Sequence, residues 1–369
     1  MPVYSNFDTA TLTEQGMLEV MPKLIYNKAV VNGVAATPLL FMLGGLGYER
    51  PETPIDNPFI RRFSEVNFSE GSTETLRYWI AEMYGDKDTE AAKVVSPGST
   101  YAQQSAATLT KVRSSTIKAE SYRSSHYIAM ELTDEELKAS KGMIGTPQLA
   151  KSIFVRTAEK AANAWQQKHH KMTCARVTAS RTAQMGFMFP FQNAAVVHGI
   201  DQATVTNWQA NVVSAGNAVP NLQAIDNLIL DHTLAGRKKP THAICSKAAI
   251  YSRVRNLLTT NHIVSLGPIG PDHLHPKFPT FQIDGIFYAA DGQIAVENSG
   301  VASVASSIAY AHLEDWYFYA SMPDDLSPNG DSAFGMKRNG LLYEKAWRMD
   351  AELLCLNPWN QLLWSTVGS

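Results

Sequence analysis

Three short stretches of the 369-residue sequence gather side chains that could do chemistry. Asp272, His273 and His275 offer a carboxylate and two imidazoles, donor types that hold a divalent metal. The two histidines, at i and i+2, project from one side of an extended segment, and Pro268, Pro271, Pro276 and Pro279 stiffen it. A closed metal site needs four donors, and no further ligand stands nearby in the sequence, so a polar loop at a subunit contact is the better reading. Lys168, His169, His170 and Lys171 form a basic run. At the end of a helix such a run complements the dipole, with light contact to nucleic acid as the second reading. Arg237, Lys238 and Lys239 follow Gly236 and complement another helix terminus or form a solvated loop. Cys174, Cys245 and Cys355 are far apart, odd in number and without a CxxC pair, which predicts buried structural thiols.

The compact signatures of catalysis are missing. The sequence has no GxxxxGK[ST] loop, no GxSxG elbow and no HExxH, and Gly44-Gly45-Leu46-Gly47 lacks the spacing of a dinucleotide fingerprint. No catalytic residue, cofactor or metal is therefore expected. With 32 basic and 34 acidic residues, the formal net charge of -2 lacks the basic excess of a protein that grips nucleic acid. Charged residues are 18%, below the roughly 25% of soluble domains, which fits either a surface covered by neighbouring copies or an ordinary low-charge globular protein. Residues 1–11 lack the basic and apolar regions of a signal peptide, and no apolar run is long enough for a membrane span.

The elements that would carry these residues follow in order. Residues 1–65 read as an extended arm: a short helix at 14–21, a strand-like patch at 24–34, an apolar run at 38–43, then glycines and Pro51, Pro54 and Pro58. The arm carries Leu39, Leu40, Phe41, Met42 and Phe59, which must be buried either on its own body or over a neighbouring subunit. Residues 66–125 read as a polar two-stranded hairpin that cannot build its own core. A returning strand at 126–132 alternates Tyr127, Ala129 and Glu131 against Ile128, Met130 and Leu132. Thr146 as N-cap and Pro147 at the first position open a helix to about residue 170, with Leu149, Ile153, Ala161 and Trp165 on one face. A helix follows over 221–234 with Leu222, Ile225, Leu228 and Ile229 inward, stopped by Gly236. Then come a buried strand at 241–245, a helix capped by Ser246 through Leu258, and strand-rich pieces at 281–290, 304–311 and 316–320. A long strand or strand pair at 343–356 is ended by Pro358. Strands and helices mix without regular βαβ alternation, so the class is α+β.

Three segments carry a family resemblance: KVRSSTIKAESYRSSHYIAMEL (111–132), LQAIDNLILDHTLAGRKKPTHAICSKAAIYSRV (222–254) and FPTFQIDGIFYAADGQIAV (278–296). They and the order of parts resemble the capsid fold of tailed phages, the HK97-like fold, which encapsulins and herpesvirus shells also use. The resemblance implies an N-terminal arm (1–65), an E-loop hairpin (66–125), a peripheral domain (126–195) with a spine helix at about 146–170, an axial domain (196–340) and a C-terminal return to the peripheral domain (341–369). It implies a non-enzymatic major capsid protein. Pentamers and hexamers would form an icosahedral virion head around double-stranded DNA, assembled in the host cytoplasm. Leu39, Leu40, Phe41, Met42 and Phe59 would be arm contacts between subunits, Lys111, Arg113 and Lys118 E-loop contacts, and Lys168 and Lys171 weak contacts to DNA. A portal, a separate scaffolding protein and an optional decoration protein would be partners, with no membrane. Proline and strand-like text by residue 22 leave no room for a fused scaffold segment, so no large N-terminal cleavage is expected. Alternatives are an encapsulin-like compartment, a soluble α+β enzyme or ligand-binding protein, and a portal or tube subunit.

Overall fold

A computed structural model describes residues 38–43, 75–81, 116–122, 124–136, 147–180, 183–260, 281–320, 324–325, 337–339 and 342–368. In chain order, a five-residue helix α1 (Pro38–Met42) is followed by strands β1 (Thr75–Ala81), β2 (Thr116–Tyr122) and β3 (Ser124–Thr133) and by the long helix α2 (Pro147–Cys174). Two-residue strands β4 (Val196–Val197) and β5 (Ile200–Asp201) precede β6 (Asn211–Ser214), α3 (Leu222–Leu234), β7 (His242–Cys245) and α4 (Ala248–Thr260). Then come β8 (Phe281–Ile283), β9 (Ile286–Ala290), the short helices α5 (Gln293–Glu297) and α6 (Ala302–Ala305), β10 (Ile308–Ala311) and β11 (Trp316–Ala320). The last strands are β12 (Asp324–Asp325), β13 (Lys337–Asn339), β14 (Leu342–Cys355) and β15 (Leu362–Ser365).

Alternation along 124–133 makes β3 a half-buried strand. His126, Ile128, Met130 and Leu132 face inward while Tyr127, Ala129 and Glu131 face solvent. β3 lies antiparallel to β14, from Leu342 opposite Thr133 to Ala351 opposite Ser124. β14 is the hub of a five-stranded sheet and also pairs with β11, β12 and β13. The apolar inner face of this sheet is closed by α2, which packs on β3 and buries Ala161 and Trp165.

The second sheet has six strands in the order β6-β15-β10-β7-β9-β8, with β15 parallel to β6 and β7 parallel to β9. Its central strands are buried on both faces. Ala243, Cys245, Ile308, Tyr310, Leu362 and Trp364 pack with Ile225, Leu228, Ile250 and Val254 of α3 and α4. Ile244, Ala309 and Leu363 face the other way, into the core shared with α2 and β14. Two-sided burial yields continuous apolar runs rather than alternation. Asn221 caps α3 by accepting from the Ala224 N–H at 2.8 Å, and Gly236 ends it with φ of 77°.

Several expectations shift. The long helix runs to Cys174, one turn beyond the expected end near residue 170. The piece at 304–311 begins as helix α6 before it becomes β10. The Ser246 hydroxyl donates to Ala305 O and accepts from Ser307 N–H, tying β7 to the loop before β10. The division at residue 340 does not match the sheets. β11, β12 and β13 belong with β14 in the five-stranded sheet, while β15 joins the six-stranded one. The expected elements at 14–21 and 24–34, and the cluster Asp272, His273 and His275, lie outside the described residues.

Close passage of the chain after α2 depends on one glycine. A β-carbon at Gly186 would stand 1.8 Å from the Ala175 carbonyl oxygen, whereas one at Gly300 meets nothing within 4 Å. Gly186→Ala is expected to destabilise the fold by about 2 kcal/mol or more, and Gly300→Ala to stay within about 0.5 kcal/mol. Urea-unfolding midpoints check the difference.

Candidate assembly surfaces and the junction beneath them

At the end of β9 the chain turns at Asp291, a 3% exposed residue. Its carboxylate is held from three directions. Oδ1 accepts from the Gln293 N–H at 3.1 Å, at the start of α5. Oδ2 accepts from the Leu39 N–H of α1 at 3.0 Å and lies 2.7 Å from His170 Nε2 of α2. Cys174 stands one turn further along α2, and Asn298 Nδ2 donates to its carbonyl at 2.8 Å. Burial pushes the Cys174 thiol well above its ordinary value, and the nearby Asp291 and Glu297 carboxylates add to the shift. All three cysteines are buried free thiols, as the spacing predicts.

The Lys-His-His-Lys run divides between two environments. Because α2 continues to Cys174, the run lies inside the helix, and its histidines turn inward. His169 Nδ1 lies 2.8 Å from Gln184 Oε1, and its ring contacts Trp165 and His126 at 3.9 and 4.4 Å. Burial, reinforced by Lys168, lowers His126 to about 4, with Asp350 opposing. The reading of these histidines as dipole partners is thereby corrected to buried packing. Lys168 and Lys171 remain exposed.

The arm assignment is corrected at two positions. Leu39 and Met42 are 0% and 3% exposed and pack within the chain's own core, beside α2. The expected apolar cover comes from the same body, through the Asp291 bond to the α1 backbone. Leu40 and Phe41 are members of α1 and Lys118 of β2, where it stands opposite Trp79. Phe59, Lys111 and Arg113 lie outside the described residues.

β1 and β2 pair with each other from Thr75 opposite Tyr122 to Ala81 opposite Thr116, apart from both larger sheets. Two contacts bolt the foot of β2 to the body. The Glu120 N–H donates to His198 O at 2.8 Å, and His198 Nε2 accepts from the Cys355 N–H at 3.0 Å. His198 and Gly199 have φ of 53° and 79°, the left-handed pair of a tight turn between β4 and β5. Burial lowers His198 to about 3, so its ring is neutral at physiological pH. Next to it, Glu352 Oε1 accepts from the Ser121 hydroxyl and the Met185 N–H, both at 3.2 Å. Glu352 is fully buried, and burial raises its carboxyl well above the usual range, which favours the protonated form.

Arg237 also departs from the solvated-loop reading. Its Nη1 donates to Gln209 O at 3.2 Å and Trp359 O at 2.6 Å, and its guanidinium lies 3.7 Å over the Trp359 ring. Burial lowers it to about 10, which leaves it charged. Lys239 pairs with Asp284 at 2.5 Å on an exposed surface. Exposed apolar groups that the sequence reading did not single out include Leu230 and Leu234 on α3 and Tyr122 on β2. The signal for the first two was present: they fall one turn apart, off the inward stripe of α3. No helix among the described residues is long and apolar enough to cross a membrane.

Asp291→Asn removes the charge that His170 and two N–H groups face, and is expected to lower unfolding free energy by about 1.5–3 kcal/mol in chemical denaturation. Glu352 makes a pH prediction. Its folded form holds a proton that the unfolded form releases above its ordinary value near 4.5, so its contribution to stability falls as pH rises above that value. Glu352→Gln keeps a neutral acceptor at Oε1. Its urea midpoint should match the wild type near pH 4 and exceed it at pH 8.

No family model matches the chain, and no curated protein matches it. Solved structures do. The cyanophage A-1(L) capsid asymmetric unit matches at 11% identity over 95% of this chain and 99% of that chain, with a TM-score of 0.56. The capsid of a native GTA particle matches at 8% identity over 93% and 94%, with a TM-score of 0.51. The holo-SrpI encapsulin complex from Synechococcus elongatus matches at 9% identity over 84% and 89%, with a TM-score of 0.45, too distant to bear on the reading. At these identities the likeness speaks to architecture, and that architecture is clear: the chain has the α+β fold of phage capsid subunits, the HK97-like fold.

Proposed function

We propose that the chain is the major capsid protein of a tailed bacteriophage, a non-enzymatic subunit that assembles as pentamers and hexamers into an icosahedral head around double-stranded DNA. The observation that carries this reading is the extent of the likeness to the cyanophage capsid, over 95% of this chain and 99% of that one. The placement of β1 and β2 supports it. A lone two-stranded pair is marginal in water, so it needs another surface to lie on, and a neighbouring copy supplies one. In this reading residues 1–65 form the arm, 66–125 the E-loop, α2 the spine, and the six-stranded sheet with α3 and α4 the axial domain.

Leu40, Phe41 and Phe59 then face neighbours from the arm, and Lys111, Arg113 and Lys118 from the E-loop. Each contact can be weak, because a subunit with several partners gains from multivalency. Lys168 and Lys171 are exposed on a chain of net charge -2, which suits light contact with packaged DNA. The reading includes a portal, a separate scaffolding protein and an optional decoration protein as partners, and a virion location after assembly in the host cytoplasm.

Electron microscopy of the purified protein tests it. Closed icosahedral shells are expected, and a discrete monomer or dimer would sink the reading. The arm is tested by deleting residues 1–37, which spares the Leu39 bond to Asp291 and the buried Leu39, Met42 and Leu43. The truncated subunit should fold, by circular dichroism, yet form no shells. Intact shells would refute the arm's role.

A further inference from the structure

We propose that His170, Cys174 and Asp291 form a binding site for a divalent cation of the zinc class. Their donor atoms all lie within 4.8 Å of one another, and all three residues are buried. His170 and Cys174 are four residues apart on α2, a spacing that turns both side chains onto one face of the helix. Asp291 reaches that face from the end of β9, with Oδ2 2.7 Å from His170 Nε2.

The chemistry of the set selects the ion. Imidazole, thiolate and carboxylate are zinc donors, whereas magnesium and calcium take oxygen ligands. Three protein donors are the ligand count of an open zinc site. Charge balance favours occupancy as well. A dication with one thiolate, one carboxylate and a neutral imidazole sums to zero, so no net charge is buried. Binding releases the thiol proton, and the imidazole carries its remaining proton on Nδ1, so affinity rises with pH.

The surroundings have the character of an outer shell that holds ligands in place. The Leu39 N–H binds Asp291 Oδ2, the Gln293 N–H binds Oδ1, and the Asn298 amide holds the Cys174 carbonyl. An ion here would staple α2 to the end of β9, with α1 attached through the same carboxylate.

Cobalt(II) is the probe, added to the full-length protein under reducing conditions. One equivalent should produce a thiolate-to-cobalt charge-transfer band in the near ultraviolet, and zinc should bleach it and raise the melting temperature. The chain has three cysteines, so the band can be assigned. Cys174→Ser should abolish it, while Cys245→Ser and Cys355→Ser should keep it. No band in the wild type, or a band that survives in Cys174→Ser, overturns the site. X-ray absorption of the zinc-loaded wild type decides the matter without a variant. One sulfur ligand is expected, and a sphere of nitrogen and oxygen alone overturns the proposal.

Discussion

A carboxylate taken out of water costs several kcal/mol unless donors surround it, and Asp291 is such a group. Its donors come from parts of the chain far apart in sequence: His170 is 121 positions away and Leu39 is 252. Satisfying that one side chain therefore fixes the end of β9, the last turns of α2 and the helix α1 in a single arrangement. Around it the apolar groups close. α2 leans on β3 and on α5, so the five-stranded sheet and the six-stranded sheet share one core through the helix. The polar junction supplies the register, and the apolar contacts supply most of the stability.

The two sheets differ in how far they are covered. The five-stranded sheet buries one side and shows Tyr127, Ala129 and Glu131 on the other, while the central strands of the six-stranded sheet are covered on both faces. The pair β1 and β2 joins neither. Among the described residues, its foot is fastened to the body by the Glu120 bond to His198 and by Ser121 against Glu352. A ribbon anchored at its foot suits an extension whose far end lies on another surface. In the proposed shell that surface is a second copy, and the exposed Leu230 and Leu234 of α3 offer another apolar contact.

Legibility in the sequence followed local physics. β3 was readable because burial on one face imposes alternation. α3 was readable because Asn221, the inward stripe and Gly236 lie within one short window. α2 was readable at its start, where Pro147 stands at the first helical position, and misjudged at its end, where the Lys-His-His-Lys run looked terminal. β15 was missed because Leu362–Ser365 is short and buried on both faces, so no period distinguishes it. The junction was missed because Asp291-Gly292 reads as a turn. Nothing within ten residues of Asp291 shows that its side chain will meet Leu39 and His170. The same limit hid the cover over Leu39 and Met42, since apolar content demands burial without naming what buries it.

α1 is docked on its own subunit at Asp291, and in the proposed shell the hairpin reaches a different copy. A cryo-electron microscopy map of the assembled particle, traced from subunit to subunit, tests this most directly. Continuous density should place residues 38–43 against α2 and Asp291 of the same chain, with β1 and β2 lying on a neighbour. Residues 38–43 traced to the Asp291 of a neighbouring subunit, or a hairpin folded onto its own body, would contradict it.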